Sequence, residues 1–262
     1  MTLALWQGEG VPGDLPATLA EVARIARDAA ARGASLLVFP EGFLTGYYIP
    51  GLAPGGLPGV EEALARVGAI AAEHDLALVI GTHLDEGAQL RNSAVVFDAT
   101  GTERGRYHKH TPFGAWERET FAPGTEGLIL DLDGLRVGIA ICYDVEFPEL
   151  IRAYAQQGAQ LVVVPTALMA PMDHIARLIV PVRALENQIF VGYANRIGRE
   201  PGLEFVGLSR ICGPRGETVA EAGDEPALLL ARIEPEAIER ERAESSYLED
   251  LAKFVSLRPR RD

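Results

Sequence analysis

Residues 135–148 read LRVGIAICYDVEFP: an apolar run, then a cysteine, a polar turn and a proline. The apolar run predicts a buried strand over 135–142, and the proline predicts the start of a helix over 148–157 that Gly158 ends. A strand that leads through a short turn into a helix is the building unit of α/β sheets. The stretch therefore predicts an α/β fold. It places Cys142 at the carboxyl end of a strand, where free backbone N–H groups can lower a thiol pKa or hold an oxyanion.

The same order of elements occurs in both halves of the chain. The first half reads as strand, helix, strand and helix, over residues 3–7, 14–32, 35–39 and 60–74. In the second half a further helix is predicted over 173–186, which Pro181 should kink or split. Helix pairs that alternate with hairpins in both halves predict two similar sheets packed face to face with helices outside. We expect one domain over 1–262, whose charged stretch from about 235 reaches over a surface or a neighbouring subunit.

Composition excludes several classes of protein. The 262 residues are 48% hydrophobic and carry 24 Lys plus Arg against 37 Asp plus Glu, a net charge of −13. That negative field repels polyanions, so nucleic acid is not an expected partner. The mostly apolar stretch 161–172 falls short of the roughly 20 residues that cross a bilayer and contains two prolines, so no membrane span is expected. Two cysteines make no disulfide framework and the start of the chain has no leader pattern, which predicts a cytoplasmic protein.

One glycine pattern suggests a different function. Gly8, Gly10 and Gly13 form G-x-G-x-x-G between a predicted strand and a predicted helix, as in dinucleotide-binding proteins. Glu9 and Asp14, however, would put carboxylates where a pyrophosphate must bind, and the next strand-end acid lies 28 residues after the last glycine rather than about 20. Dinucleotide binding is therefore kept as a remote alternative.

Three polar side chains at predicted strand ends form a complete set for nucleophilic catalysis. Glu41 follows the buried run 36–40, Lys109 follows the strand that ends at His108, and Cys142 follows the run described above. A partly desolvated carboxylate can take the thiol proton, the thiolate can attack a carbonyl, and the ammonium can hold the resulting oxyanion together with the N–H of Tyr143. His108 and His110 have no third ligand in register, so no metal site is predicted.

These motifs resemble those of the nitrilase superfamily of carbon–nitrogen hydrolases. The similarity is carried by LVFPE at 37–41, YHKH at 107–110 and ICYD at 141–144, and it extends over nearly the whole chain. Among its branches the chain looks most like bacterial amidases of the δ-aminovaleramide and stereoselective aliphatic type, through FLTGY at 43–47 and YDVEFPE at 143–149.

The resemblance implies a four-layer α-β-β-α sandwich of two mixed sheets, a homodimer, and no cofactor or metal. It implies a second carboxylate near the cysteine, for which Glu117 is favoured over Glu119, to position the substrate amide. The implied activity is hydrolysis of a small aliphatic or amino-substituted amide to a carboxylic acid and ammonia, through a cysteine thioester. An N-carbamoyl amine or a nitrile would use the same residues and remains an alternative.

The resemblance also suggests which residues surround the substrate. Leu168 and Met169 stand where the family usually has an aromatic or similar residue, which predicts a wider apolar pocket. Tyr47 and Trp116 are candidate walls of that pocket. If the substrate carries an ammonium group, an acidic residue should meet it, and Glu146 and Asp173 are the candidates.

Overall fold

The computed structural model describes residues 1–254, in which two six-stranded mixed sheets pack face to face between outer layers of helices. The predicted α/β class and the four-layer α-β-β-α sandwich are thus confirmed. The strands are, in chain order, β1 (Thr2–Gln7), β2 (Leu36–Val38), β3 (Ala77–Asp85), β4 (Leu90–Phe97), β5 (Glu103–His108), β6 (Leu128–Leu132), β7 (Leu135–Ile139), β8 (Leu161–Thr166), β9 (Phe190–Asn195), β10 (Arg199–Glu200), β11 (Leu203–Glu204), β12 (Arg210–Cys212), β13 (Thr218–Glu221) and β14 (Ala227–Arg232).

The helices are, in chain order, α1 (Leu15–Ala31), α2 (Val60–His74), α3 (Gly114–Thr120), α4 (Pro148–Gln156), α5 (Val180–Asn187), α6 (Pro235–Glu244) and α7 (Tyr247–Phe254). Helices α1 and α2 pack on the outer face of the first sheet, and α4 and α5 pack on that of the second. Within residues 1–254, no helix is long and apolar enough to cross a membrane.

Strand order brings the two halves of the chain into matching sheets. The first sheet has the order β14-β1-β2-β3-β4-β5 and the second β13-β12-β9-β8-β7-β6. Strands β1, β2 and β3 are parallel in the first sheet, as are β7, β8 and β9 in the second. Because the carboxyl ends of parallel strands meet at one edge, the residues that follow β2 and β7 lie where α/β proteins place their sites.

Side chains alternate in direction along β1, so the first sheet packs against the second sheet on one face and against helices on the other. In β1, Leu3 and Leu5 face the second sheet and pack in one buried cluster with Val137 and Val163. The intervening Ala4 faces the other way and packs with residues of α1 and α2. Successive side chains of a strand point to opposite faces, so an almost wholly apolar strand is what a sheet buried on both sides requires.

Several boundaries differ from the sequence predictions. The strand predicted over 135–142 ends at Ile139. The helix predicted over 173–186 is divided into a π-helical turn, Ile175–Ile179, and α5. Pro181 lies in the first turn of α5, where its missing N–H costs nothing. Strand β6 and helix α3 were not predicted, because their short, mixed patterns give weak periodicity.

The charged stretch after residue 235 forms α6 and α7, and α7 packs beside α5. The remainder of that stretch, 255–262, lies outside the described residues. The expectation that it covers a neighbouring subunit therefore stays a prediction.

The glycine pattern after β1 serves packing in this structure. A Cβ on Gly10 would lie 2.3 Å from the carbonyl oxygen of Phe43, so that position has no room for a side chain. The carboxylate of Asp14 accepts a hydrogen bond of 2.9 Å from the N–H of Ala17 and caps α1. The helix N-terminus that would have to bind a pyrophosphate thus already holds a negative charge.

Candidate active site

A lysine lies between two buried carboxylates at the edge formed by the strand ends. Lys109 Nζ is 2.8 Å from Glu41 Oε1 and 2.9 Å from Glu117 Oε1. Glu41 follows β2 through Phe39 and Pro40, and Lys109 directly follows β5. All three charged side chains are buried, so they are held in one arrangement and screened little by water.

Helix α3 supplies the second carboxylate. Glu117 is fully buried, whereas Glu119 is exposed, because residues two positions apart in an α-helix differ by about 200° and so point to nearly opposite faces. Beyond Lys109, Glu117 accepts hydrogen bonds from the hydroxyl of Tyr47 at 2.7 Å and from the N–H of Phe113 at 2.6 Å. Of the two predicted candidates, Glu117 is the one that lies beside the lysine.

Cys142 begins a 3₁₀ turn, Cys142–Glu146, rather than ending a strand. Its φ is +46°, in the left-handed region that few residues other than glycine adopt. Burial raises the pKa of its thiol, and the nearby backbone N–H of Ala167, just after β8, acts in the opposite direction. A strained residue at a strand-to-helix turn is typical of positions that expose a nucleophile.

Asp144, in the same turn, connects the cysteine to the lysine segment. Its carboxylate accepts hydrogen bonds from the N–H groups of Ile141 at 3.3 Å and Thr111 at 2.9 Å, and from the hydroxyl of Tyr107 at 2.9 Å. Asp144 is the last residue of the motif ICYD, but the sequence pattern by itself predicts no role for it. A carboxylate followed by the start of a helix is a signal that could have identified it.

Asn92 is a further polar residue that the sequence analysis missed. Its side-chain amide donates to Glu41 Oε1 at 2.7 Å and lies 3.5 Å from Glu117 Oε1, and its backbone carbonyl accepts from the N–H of Lys109 at 2.8 Å. Within residues 1–254, Glu41 Oε2 has no hydrogen-bond partner. The sequence signal for Asn92 was weak, because it is one of three consecutive polar residues, 91–93, that precede the apolar half of β4.

The electrostatics of the group set the protonation states. Burial raises the pKa of Glu41, although the Lys109 ammonium acts in the opposite direction. Burial lowers the pKa of Lys109, but the two carboxylates outweigh it and hold that pKa well above its ordinary value. Burial of the thiol and the nearby carboxylate of Glu41 raise the pKa of Cys142 well above its ordinary value. The cysteine is therefore a thiol beside a potential base, and not a thiolate at rest.

Aromatic side chains form one wall beside the charged group. The ring of Tyr47 packs edge-on against Trp116 at 5.7 Å and against Phe205 at 5.8 Å between centroids. Met169 packs against the same cluster. Leu168 instead packs within the second sheet's helix layer, so only one of the two residues predicted to widen the pocket lies on this wall.

Of the remaining predicted substrate residues, Tyr143 and Glu146 lie in the 3₁₀ turn that begins at Cys142. Tyr143 packs edge-on between Phe113 and Phe147, with centroid distances of 5.2 and 5.0 Å. Glu146 is half-buried, and burial raises the pKa of its carboxyl despite the nearby His174. Asp173 is exposed and pairs with Arg177 at 3.3 Å across one helical turn. No cluster of three or more potential metal ligands occurs among the residues that the structure describes.

Comparison of the sequence with known proteins identifies one family and several relatives in it. The carbon-nitrogen hydrolase family matches residues 2–243. A Pseudomonas protegens protein described as a hydrolase is 36% identical over 254 residues, 95% of this chain and 88% of that protein. The (R)-stereoselective amidase of a Pseudomonas species is 33% identical over 98% of this chain and 93% of its own length.

A solved structure agrees with the sequence relatives. It is a variant of the amidase from Nesterenkonia sp. AN1 with the acetamide moiety of fluoroacetamide added covalently at the active-site cysteine. It superposes with a TM-score of 0.85 at 34% identity, covering 98% of this chain and 97% of that chain. The chain belongs to the carbon-nitrogen hydrolase family and is a hydrolase of non-peptide carbon–nitrogen bonds.

Proposed function

We propose that this hydrolase is an amidase that converts a small aliphatic or amino-substituted amide to a carboxylic acid and ammonia through a cysteine thioester. The observation that carries the proposal is the buried group formed by Glu41, Lys109 and Glu117 beside the turn of Cys142. The amidase relatives and the covalent adduct at the cysteine of the Nesterenkonia amidase support it.

In the first half-reaction Glu41 acts as general base. Its oxygen Oε2, which has no other partner among residues 1–254, takes the proton from the thiol as the sulfur attacks the amide carbon. The tetrahedral oxyanion is held by the ammonium of Lys109 and the N–H of Tyr143. Glu41 then returns the proton to the departing amine, and ammonia leaves the thioester.

In the second half-reaction a water molecule replaces ammonia. Glu41 takes a proton from the water as its oxygen bonds to the thioester carbon. The carbon–sulfur bond then breaks, the acid is released, and Glu41 returns the proton to the sulfur to restore the thiol. Glu117 orients the substrate amide and, through its hydrogen bonds to Lys109 and Tyr47, holds both against the reacting centre.

The wall formed by Tyr47, Trp116 and Met169 favours a short, uncharged acyl group. Glu146 is the better candidate for meeting a substrate ammonium, because it is half-buried in the nucleophile's own turn. Asp173, exposed and already paired with Arg177, is the weaker candidate.

We further infer a single catalytic domain that acts as a homodimer in the cytoplasm, where a reducing environment keeps a nucleophilic thiol free. The apolar side chains Leu178, Val182 and Phe147 are exposed on the outer face of the second sheet's helix layer. Leu178 and Val182 are about one helical turn apart, and exposed apolar side chains at such spacing favour contact with a second copy of the chain.

The test is ammonia release from a panel of short amides, aminoamides, nitriles and N-carbamoyl amines. We expect the native protein to act on amides, Cys142→Ala to be inactive, and Cys212→Ala, which removes a buried thiol elsewhere, to keep activity. Mass spectrometry should find an acyl adduct on the peptide that contains Cys142.

Other outcomes would identify the alternatives. Release of carbon dioxide with ammonia would show that the protein is an N-carbamoyl amine hydrolase. Preferential turnover of nitriles would show that it is a nitrilase. Inactivity of the native protein throughout the panel, with no adduct, would exclude the cysteine mechanism. Protection from unfolding by NAD, independent of Cys142, would then favour the dinucleotide-binding alternative.

A further inference from the structure

A buried arginine connects the two sheets at the edge that carries the site. Arg196 directly follows β9 of the second sheet and is only 1% exposed. Its guanidinium crosses to the loop after β2 of the first sheet, where Nη1 is 3.0 Å from the carbonyl oxygen of Gly42 and 3.4 Å from that of Glu41. The arginine therefore holds the backbone of the proposed general base.

The counter-ion of this arginine holds the other end of the same loop. Glu200, in β10, accepts from Arg196 Nη2 at 2.7 Å. Its Oε1 also accepts from the N–H of Tyr47 at 3.0 Å, and its Oε2 accepts from the N–H of Tyr48. One ion pair thus fixes both ends of the loop 41–48, which carries Glu41 at its start and the Tyr47 hydroxyl that contacts Glu117 near its end.

The residue before the arginine fixes the nucleophile's side of the site. The side-chain carbonyl of Asn195 accepts from the N–H of Leu168 at 2.8 Å. Leu168 follows Ala167, whose N–H lies near the sulfur of Cys142. Two consecutive residues at the end of β9 therefore reach toward opposite partners, one toward the base and one toward the nucleophile.

A buried ion pair is a poor means of gaining stability, since desolvation offsets most of its attraction and apolar residues of similar volume often serve as well. It does impose a precise geometry, because a guanidinium and a carboxylate are planar groups with fixed hydrogen-bond directions. The ion pair lies between the loop 41–48, which carries Glu41, and the second sheet, which carries Cys142. A precise geometry at this place would therefore affect catalysis.

We propose that Arg196 and Glu200 are positioning residues, which set Glu41 against Cys142 and Tyr47 against Glu117. This inference rests on the proposed function for its catalytic meaning. Neither residue is expected to touch the substrate, and both act through the backbone of the loop 41–48.

Conservative variants should disturb this arrangement without removing its bulk. In Arg196→Lys a single ammonium replaces the planar fork, so it cannot bind Glu200 and the Gly42 carbonyl in the same geometry. In Glu200→Gln one acceptor oxygen becomes an NH₂ donor. This NH₂ must face either a backbone N–H or the guanidinium, which are also donors, so one hydrogen bond is lost. A matched control exists on the same hairpin, where Arg199 and Glu204 form an exposed pair at 2.8 Å.

The experiment measures kcat and KM for the best amide, and the rate at which iodoacetamide alkylates Cys142 as a function of pH. Peptide mass spectrometry assigns the label to Cys142 rather than Cys212, and thermal unfolding reports the folded fraction. We expect Arg196→Lys and Glu200→Gln to lower kcat at least tenfold with KM changed less than threefold, and to shift the alkylation profile. Arg199→Gln and Glu204→Gln should stay within twofold of the native protein.

The proposal is overturned if both variants, corrected for folded protein, keep the native kcat and the native alkylation profile, since the ion pair would then be structural only. If Arg196→Lys does not fold, Glu200→Asp replaces it, because that carboxylate keeps its charge and can reach only one of the two amides. If the native protein hydrolyses no amide, the proposed function fails, while the alkylation profiles still decide whether the pair positions the base.

Discussion

The two carboxylate oxygens of Glu41 have different surroundings, and this difference is the basis of its proposed role. Oε1 is bound by Lys109 and Asn92, whereas Oε2 has no partner among residues 1–254. Lysine and asparagine donate only to the first oxygen, so the second is free to exchange a proton with the thiol. Burial raises the pKa of the group, which makes it a stronger base than an exposed glutamate.

This environment predicts the acid limb of the pH profile. Glu41 must be ionised to act as base, so activity is lost as the pH falls through its pKa. Because that pKa is raised, we expect kcat/KM to decline at a pH above the value of about 4.3 of an ordinary glutamate. Steady-state kcat/KM values from pH 4 to 9 would locate this decline. Glu119→Gln, a substitution of an exposed residue, is the control and should leave the pH profile unchanged. An acid limb at or below the ordinary glutamate value would contradict the assignment.

At the scale of elements, the 3₁₀ turn Cys142–Glu146 is tied to the segment after β5 by one carboxylate. Asp144 accepts from Thr111 after Lys109 and from Ile141 before the nucleophile. It thereby fixes the distance between two segments that belong to different sheets. The turn needs such support because Cys142 holds an unfavourable left-handed backbone.

Asp144→Asn should therefore reduce both stability and activity. An amide keeps the size of the side chain but turns an NH₂ toward buried N–H and O–H donors, and each unsatisfied buried group costs about 1–3 kcal/mol. We expect the free energy of unfolding in urea to fall by about 2 kcal/mol and kcat to fall at least tenfold. Asp131→Asn, on the exposed side of β6, is the matched control. A variant with native stability and native kcat would show that the carboxylate does not support the turn.

At the scale of the molecule, the site exists only because two sheets pack face to face. Glu41 and Lys109 follow strands of the first sheet, and Cys142 follows a strand of the second. The inter-sheet core, which includes Leu5, Val137 and Val163, sets the spacing of the two edges. A core change that altered this spacing would move base and nucleophile apart without touching either.

The proposed homodimer makes a prediction at the same scale. Leu178 is 62% and Val182 43% exposed, on the outer side of the π-helical turn and of α5. If this face pairs with a second copy, Leu178→Glu and Val182→Glu should convert a dimer to a monomer, because a charge would be buried in an apolar contact. Light scattering after size exclusion would measure the mass. Val219→Glu, equally exposed on β13, should leave it unchanged. A native protein that is already monomeric would exclude the dimer.

The sequence by itself determined the order of elements and the residues of the reacting group. Apolar alternation and glycine stops are local signals, so β1, α1, α2 and α4 lie within one or two residues of their predictions. The ends of predicted strands pointed to Glu41, Lys109 and Cys142, and a carboxylate such as Glu41 directly after a buried run is costly unless it is used.

Only the tertiary structure decided which of the other residues lie with them. The family resemblance favours Glu117 over Glu119, but only the folded structure shows that Glu117 is the buried one beside Lys109. Asn92 meets Glu41 through strand pairing within the first sheet, whereas Arg196 and Glu200 meet the loop 41–48 through the packing of the two sheets. Local patterns report which face of an element is apolar. They carry no information about which polar group another segment, more than a hundred residues away, will meet.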